Sequence, residues 1–302
     1  MKYKFYYIYV VLVLLVGCKK KDTTSATPYL IFKMKLDPSQ VRLDNLGNPA
    51  TIPANHAAQN PDSFSISAHY IEMAQNAYTA LGTGAVLFHA DEVTQNGQTG
   101  IDFSKNKIVK NGEVFYKIPL KDVTPGVYEY LRVSLAYQNY EVKFYIDTVI
   151  SGFPIQQEFP SRIASFVGYN TYIDSFLLKT KKVTVNDFRK QGYWGAESYG
   201  TVLGFPFNVV NTGQAPPGST TVVNPLFASS PIPAGSCVAT GRFLPGSLTI
   251  TGKETADVTV EVSLSINKSF EWQEVVADGK WEPFKGENVV DMGIRGMIPT
   301  IK

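Results

Sequence analysis

The chain has 302 residues, 44% of them hydrophobic and 13% aromatic, which is enough apolar material for a large folded core and too much for a disordered polymer. Its 28 Lys and Arg stand against 26 Asp and Glu, and Lys2 and Lys4 fall in an N-terminal leader, so the remainder is formally neutral. Nucleic acid is thereby excluded as a partner, because a phosphate backbone is held by a basic surface and the longest basic run is Lys19-Lys20-Lys21, beside that leader.

The leader comes first in chain order. Lys2 and Lys4 form a short positive segment, Phe5 to Val16 an apolar run, and Leu15-Val16-Gly17-Cys18 closes it. A bilayer span needs roughly 20 apolar residues, so this run is too short to cross. The closing tetrapeptide resembles the lipobox of bacterial lipoproteins. That resemblance implies a signal peptide over residues 1–17, cleavage before Cys18, acyl chains such as palmitate on Cys18, and an outer-membrane, cell-envelope address on the periplasmic face or the cell surface. At ~0.8 kcal/mol per buried methylene, two or three chains make attachment effectively permanent. Lys19 to Asp22 resembles the charged export tags of some Gram-negative lipoproteins and reads equally as a solvated tether meeting anionic headgroups. Residues 18–28 are therefore a lipidated tether. Asp22-Thr23-Thr24 and Asp147-Thr148-Val149 resemble short acceptor sites for O-linked glycans.

Beyond the tether the hydrophobic period is mostly two, with β-branched and aromatic residues supplying it. Strands are expected over residues 29–36, 64–73, 85–88, 113–118, 127–138, 140–150, 163–167 and 171–178. Later ones are expected over 192–197, 236–243, 247–251, 257–267 and 289–294. The clearest runs from Asp257 to Ile266, where Val258, Val260, Val262, Leu264 and Ile266 alternate with polar residues, as in an antiparallel strand with one buried face. Helical signals are scarce, the best being Glu72 to Leu81. Turn pairs such as Asn96-Gly97, Asn111-Gly112 and Pro245-Gly246 separate the apolar runs. These features predict an all-β chain, an antiparallel β-sandwich with few helices and two long loops, Asp37 to Pro61 and Val209 to Pro233. Leu226 and Phe227 in the second loop favour one domain over residues 29–302; a split near 210 is the alternative.

Candidate chemistry is sparse. With Cys18 lipidated, Cys237 has no intrachain partner, so a disulfide framework is excluded and a buried thiol is expected. His69 and His89 end strand-like runs. If those strands are neighbours, the two rings with Glu72, Asp91 or Glu92 would offer nitrogen and carboxylate ligands suited to zinc or copper. The early strands 29–36 and 64–73 give the N-terminal half a layout similar to the methanobactin-associated periplasmic copper-binding partner proteins, a resemblance that implies copper binding. Calcium would require oxygen ligands from a loop such as Asp44-Asn45-Leu46-Gly47-Asn48, which lacks the alternating acids of an EF-hand and reads as an Asx turn. No Gly-x-Ser-x-Gly elbow and no phosphate loop is present, so nothing in the sequence supports catalysis.

Aromatic residues beside amides are the remaining signal. Tyr193, Trp194, Trp272 and Trp281 are candidate ligand-binding residues, because a sugar ring packs on an aromatic face while amides serve its hydroxyls. The sequence thus predicts a membrane-anchored extracytoplasmic lipoprotein acting as a non-catalytic binding or structural module for a glycan or an envelope protein. A copper- or zinc-binding periplasmic protein and an extracytoplasmic hydrolase are the competing classes. Convergence of His69 and His89 would favour metal, and aromatic rings in a groove would favour a glycan.

Overall fold

A computed structural model describes residues 27–225 and 237–302. The leader, Cys18, the charged tether, the first Asp-Thr motif, Leu226 and Phe227 lie outside them. Among the described residues there is no α-helix, only three short 3₁₀ turns, and no helix is long and apolar enough to cross a membrane.

The architecture is all-β and organised by one strand. Tyr130–Ile150 runs 21 residues through the middle of an eight-stranded sheet. Asp62–Ala74 pairs along one of its edges, while the other is shared in turn by Val238–Arg242 and Phe153–Phe166. Outward from these lie Ala85–His89 on one side, and Tyr193–Val202 and Phe205–Gln214 on the other. The hairpins at one end of the sheet close through Ser151-Gly152 and Leu203-Gly204, both residues of each pair at positive φ, as a twist-matched two-residue turn requires.

A second sheet, in the order Met297–Ile301, Val258–Ser265, Tyr29–Asp37, Val114–Pro119, contributes to the main core. Phe32, Met34, Val260 and Val262 from it join Ile66, Ile71, Leu131 and Val133 of the central sheet in one cluster, all without solvent exposure. The 258–265 strand keeps its expected buried face but pairs in parallel with Tyr29–Asp37 and antiparallel only with Met297–Ile301. A smaller core of Tyr137, Ala164, Phe166, Ile173, Phe176 and Leu178 involves the hairpin Asn170–Leu177 and Lys182–Lys190.

The two cores explain where the sequence pattern fades. Residues 131 to 140 are buried without interruption, so the central strand shows no inside-outside alternation, and the two strands expected at 127–138 and 140–150 are largely one. The expected helix at 72–81 is strand as far as Ala74. Beyond it, Asn76 accepts the Tyr78 N–H at 2.9 Å and forms a turn. The loop expected at 37–61 holds the strand His56–Gln59, paired with Phe270–Gln273. The start of the loop expected at 209–233 belongs to Phe205–Gln214, an edge strand with no buried residue and therefore no period to read.

One carboxylate fastens the layers together. Glu197, buried in Tyr193–Val202, accepts the backbone N–H groups of Lys179, Thr180 and Lys181 at 2.8, 2.8 and 3.0 Å. It also takes the Thr180 hydroxyl at 2.5 Å and the Asn208 amide at 2.8 Å. Burial opposes its ionisation, but these bonds outweigh that penalty and hold the carboxyl down at about 2.

Candidate metal centre

The site begins with an irregularity in the Asp62–Ala74 strand. Across the ladder to the central strand, Leu135 faces Ala68 while Ser134 faces Tyr70, which leaves His69 as an extra residue. Such a bulge redirects a side chain that regular pleating would place otherwise. Before it Phe64, Ile66 and Ala68 belong to the core, and after it Ile71 and Met73 do, so the phase slips by one residue at His69. The neighbouring strand Ala85–His89 places His89 opposite Tyr70, and the chain then returns through Ala90, whose N–H bonds the His69 carbonyl at 2.7 Å, into Glu92–Gln95.

This path brings three ligand-bearing groups together. One ligand atom each from His69, His89 and Glu92 lies within 4.8 Å of the other two. His69 Nε2 is 3.0 Å from Glu92 Oε1, His89 Nε2 is 3.8 Å from the same oxygen, and the two imidazoles meet edge to face at 4.6 Å. Tyr169 donates its hydroxyl to Glu92 Oε1 at 2.7 Å. The His89 Nδ1–H bonds the Ala90 carbonyl at 2.9 Å, and because a carbonyl can only accept, the neutral ring presents Nε2 as a lone pair toward the cluster.

The electrostatics suit a ligand set with one adjustment: His69 Nε2 donates to the Glu92 carboxylate, so its lone pair becomes a metal ligand only when that proton moves to Nδ1 or leaves. Burial, reinforced by the neighbouring His89, lowers the His69 pKa and keeps its ring neutral. Burial works against ionisation of Glu92, yet hydrogen bonds from Tyr169 and His69 prevail and hold its carboxyl below the usual range. Burial first, and then the bond to Glu92, raise the Tyr169 phenol, so it stays a proton donor. His69 is 8% exposed at its side chain and His89 51%, so the cluster has a fixed inner wall and an open outer side.

Two imidazole nitrogens and one carboxylate oxygen match the ligand chemistry of zinc or copper with a position left open. With metal–ligand bonds near 2.0–2.1 Å, tetrahedral ligand atoms stand ~3.3 Å apart; the two distances to Glu92 Oε1, 3.0 and 3.8 Å, bracket that value, and the histidine nitrogens, within 4.8 Å of each other, would have to close on an ion. The set does not suit calcium, which takes six to eight oxygens.

The other candidates lie elsewhere. Glu72 is fully buried, accepts the Gly84 N–H at 2.7 Å and lies 3.6 Å from the equally buried Arg132. Asp91 is exposed and pairs with Lys105 at 3.3 Å. His56 contacts Glu271 at 2.5 Å within an ionic network in which Arg42 meets Asp291 at 3.3 Å and Arg295 meets Asp291 at 3.0 Å. In the 44–48 loop Asp44 accepts the N–H groups of Leu46 and Asn48 at 2.8 and 2.9 Å, an Asx turn as expected. Cys237 is buried, its pKa raised by that burial, and its sulfur lies 3.2 Å from the Ser134 hydroxyl. Trp272 is 1% exposed in the main core, and Tyr193 packs against the smaller core. Trp194 and Trp281 line a separate pocket. The contribution of Tyr169 to the histidine cluster had no signal in the sequence, since 77 residues separate it from Glu92.

Comparison with protein families, characterised proteins and solved structures returns no match for this chain.

Proposed function

We propose that this chain is a lipid-anchored extracytoplasmic binding protein whose cargo is zinc or copper, held by His69, His89 and Glu92. The observation that carries the reading is the approach of three ligand atoms to within 4.8 Å of one another, produced by a bulge at His69 and the adjacent strand end at His89. Tyr169 acts behind them, orienting Glu92 as outer groups orient metal-bound carboxylates. The anchor rests on Leu15-Val16-Gly17-Cys18 and the short apolar run before it.

The test is equilibrium dialysis of the purified protein against zinc and against Cu(II), followed by metal analysis. One equivalent bound, lost in the His69→Ala, His89→Ala double variant, supports the reading; no stoichiometric metal, or an unchanged amount in the variant, overturns it. For the anchor, Cys18→Ala releases the protein from the membrane fraction, and retention there would contradict lipidation.

A further inference from the structure

The histidine cluster sits at the Ala85–His89 side of the central sheet. At the opposite side, where the sheet runs out to Phe205–Gln214, the chain from Trp281 to Met292 and the sheet together enclose a pocket of about 490 Å³. The two sites share no residue.

Aromatic rings form much of the wall. Trp194 lies against the backbone of Gly213, its partner across the ladder, where a Cβ would come within 2.7 Å of the indole. Glycine at that position lets the ring lie along the strand. Trp281 is pinned from two sides: its indole N–H donates to the Glu287 carbonyl at 3.3 Å, and its ring meets Phe270 at 4.8 Å. Phe284 stands 79% exposed beside the pocket, its ring 6.2 Å from Phe144.

Polar groups interrupt the apolar surface. Asn211 projects from the edge strand with no side-chain hydrogen bond among the described residues, whereas the Ser198 and Ser161 hydroxyls, both in the lining, bond each other at 3.0 Å. Gln214 and Asn288 each spend an N–H on a backbone carbonyl, at 2.7 and 3.2 Å, and keep their amide oxygens as acceptors. Glu287 is the one charged residue of the lining, and its carboxylate is consumed by the N–H groups of Val275, Val276 and Glu282 at 3.0, 3.3 and 2.6 Å. No cation lines the pocket to hold a phosphate or carboxylate, and no free carboxylate lines it to hold an amine.

The ligand chemistry follows by elimination. A charged ligand finds no counter-ion. A purely apolar one would leave the Asn211 amide and the amide oxygens of Gln214 and Asn288 unpaired, at a cost of about 1–3 kcal/mol each once buried. A ring with an apolar face and hydroxyls at its rim meets both demands, since the face packs on indole or phenyl and the rim bonds amides. We propose that this pocket is a second binding site, independent of the metal centre, for a neutral oligosaccharide. A volume in the small-molecule range, ~300–1,000 Å³, accommodates on the order of two sugar rings.

The experiment is a neutral-glycan array probed with the purified protein in the presence of a metal chelator, followed by tryptophan-fluorescence titration of the neutral glycans that bind. Binding insensitive to the chelator and weakened at least tenfold in both Trp194→Ala and Asn211→Ala is the expected result. Asn211 lies on an exposed edge strand, so its variant reports on the site even where Trp194→Ala disturbs packing. No neutral glycan bound, binding unchanged in Asn211→Ala, or binding only to sulfated or sialylated glycans on a parallel array would overturn the proposal. Because chelator is present throughout, failure here leaves the metal reading standing, and failure of the metal reading leaves this one standing.

Discussion

Glu197 provides the sharpest quantitative expectation. Its carboxyl titrates at about 2 in the folded chain against an ordinary 4.5, a difference worth about 3 kcal/mol at 1.36 kcal/mol per unit. The sign follows from the lowered folded value: the contribution is complete above 4.5 and is lost as pH falls through 2. At pH 7 all of it is present, and at pH 3 about 1.4 kcal/mol remains. Glu197→Gln removes the charge, places an amide nitrogen against an array of donors, and makes the site indifferent to pH. Urea unfolding of both proteins at pH 7 and pH 3 isolates the effect, because the other titrating groups are common to the two. The stability gap between them should shrink by about 2 kcal/mol on going from pH 7 to pH 3. A gap that stays constant, or widens in acid, would refute the claim that this carboxylate is held ionised by the 179–181 turn.

Three further outcomes are expected. Gly293→Ala should cost about 1–3 kcal/mol in denaturant unfolding, because its Cβ would lie 2.2 Å from the Thr221 carbonyl oxygen; a neutral effect would show that this backbone approach is not maintained. Arg295→Met should destabilise by about 3 kcal/mol, since it strips a buried partner from Asp291, and an unchanged midpoint would mean the ionic network is solvated. Cys237 should resist iodoacetamide in the native protein and react fully in urea, because its thiol is buried and its pKa raised; rapid native labelling would contradict that burial.

The sequence carried the fold class where one face of a strand is apolar and the other polar, although in Val258–Ser265 the polar face is itself covered at Ser263 and Ser265. Val260, Val262 and Leu264 are fully buried on the face their alternation predicts. It lost the signal in two physical circumstances. The central strand is covered on both faces from Leu131 to Tyr140, so period two disappears, and Phe205–Gln214 is covered on neither, so no period arises. Parallel pairing of Val258–Ser265 with Tyr29–Asp37 was beyond reach because the two strands are more than 200 residues apart and alternate as antiparallel strands do.

The candidate site was legible in part for the same kind of reason. His89 ends its strand as expected, but His69 does not: it is an extra residue at a bulge inside Asp62–Ala74, which pairs on as far as Ala74, and the adjacency of the two strands brings the rings together. Choosing Glu92 over Glu72 and Asp91 was not possible from spacing. That choice depends on the bulge at His69 and on Arg132 lying beside Glu72 in the interior, both of which are tertiary facts. Among the aromatic candidates, Trp194 and Trp281 differ from Trp272 only in burial, which spacing does not encode.

Zinc K-edge X-ray absorption of the zinc-loaded protein reads out the ligand set of the histidine cluster. Ligation by His69, His89 and Glu92 predicts nitrogen and oxygen neighbours alone at ~2.0–2.1 Å, with the more distant scattering of two imidazoles, which vanishes in the His69→Ala, His89→Ala variant. A sulfur scatterer near 2.3 Å, which would place the ion at Cys237, or a spectrum identical in the variant, would contradict it.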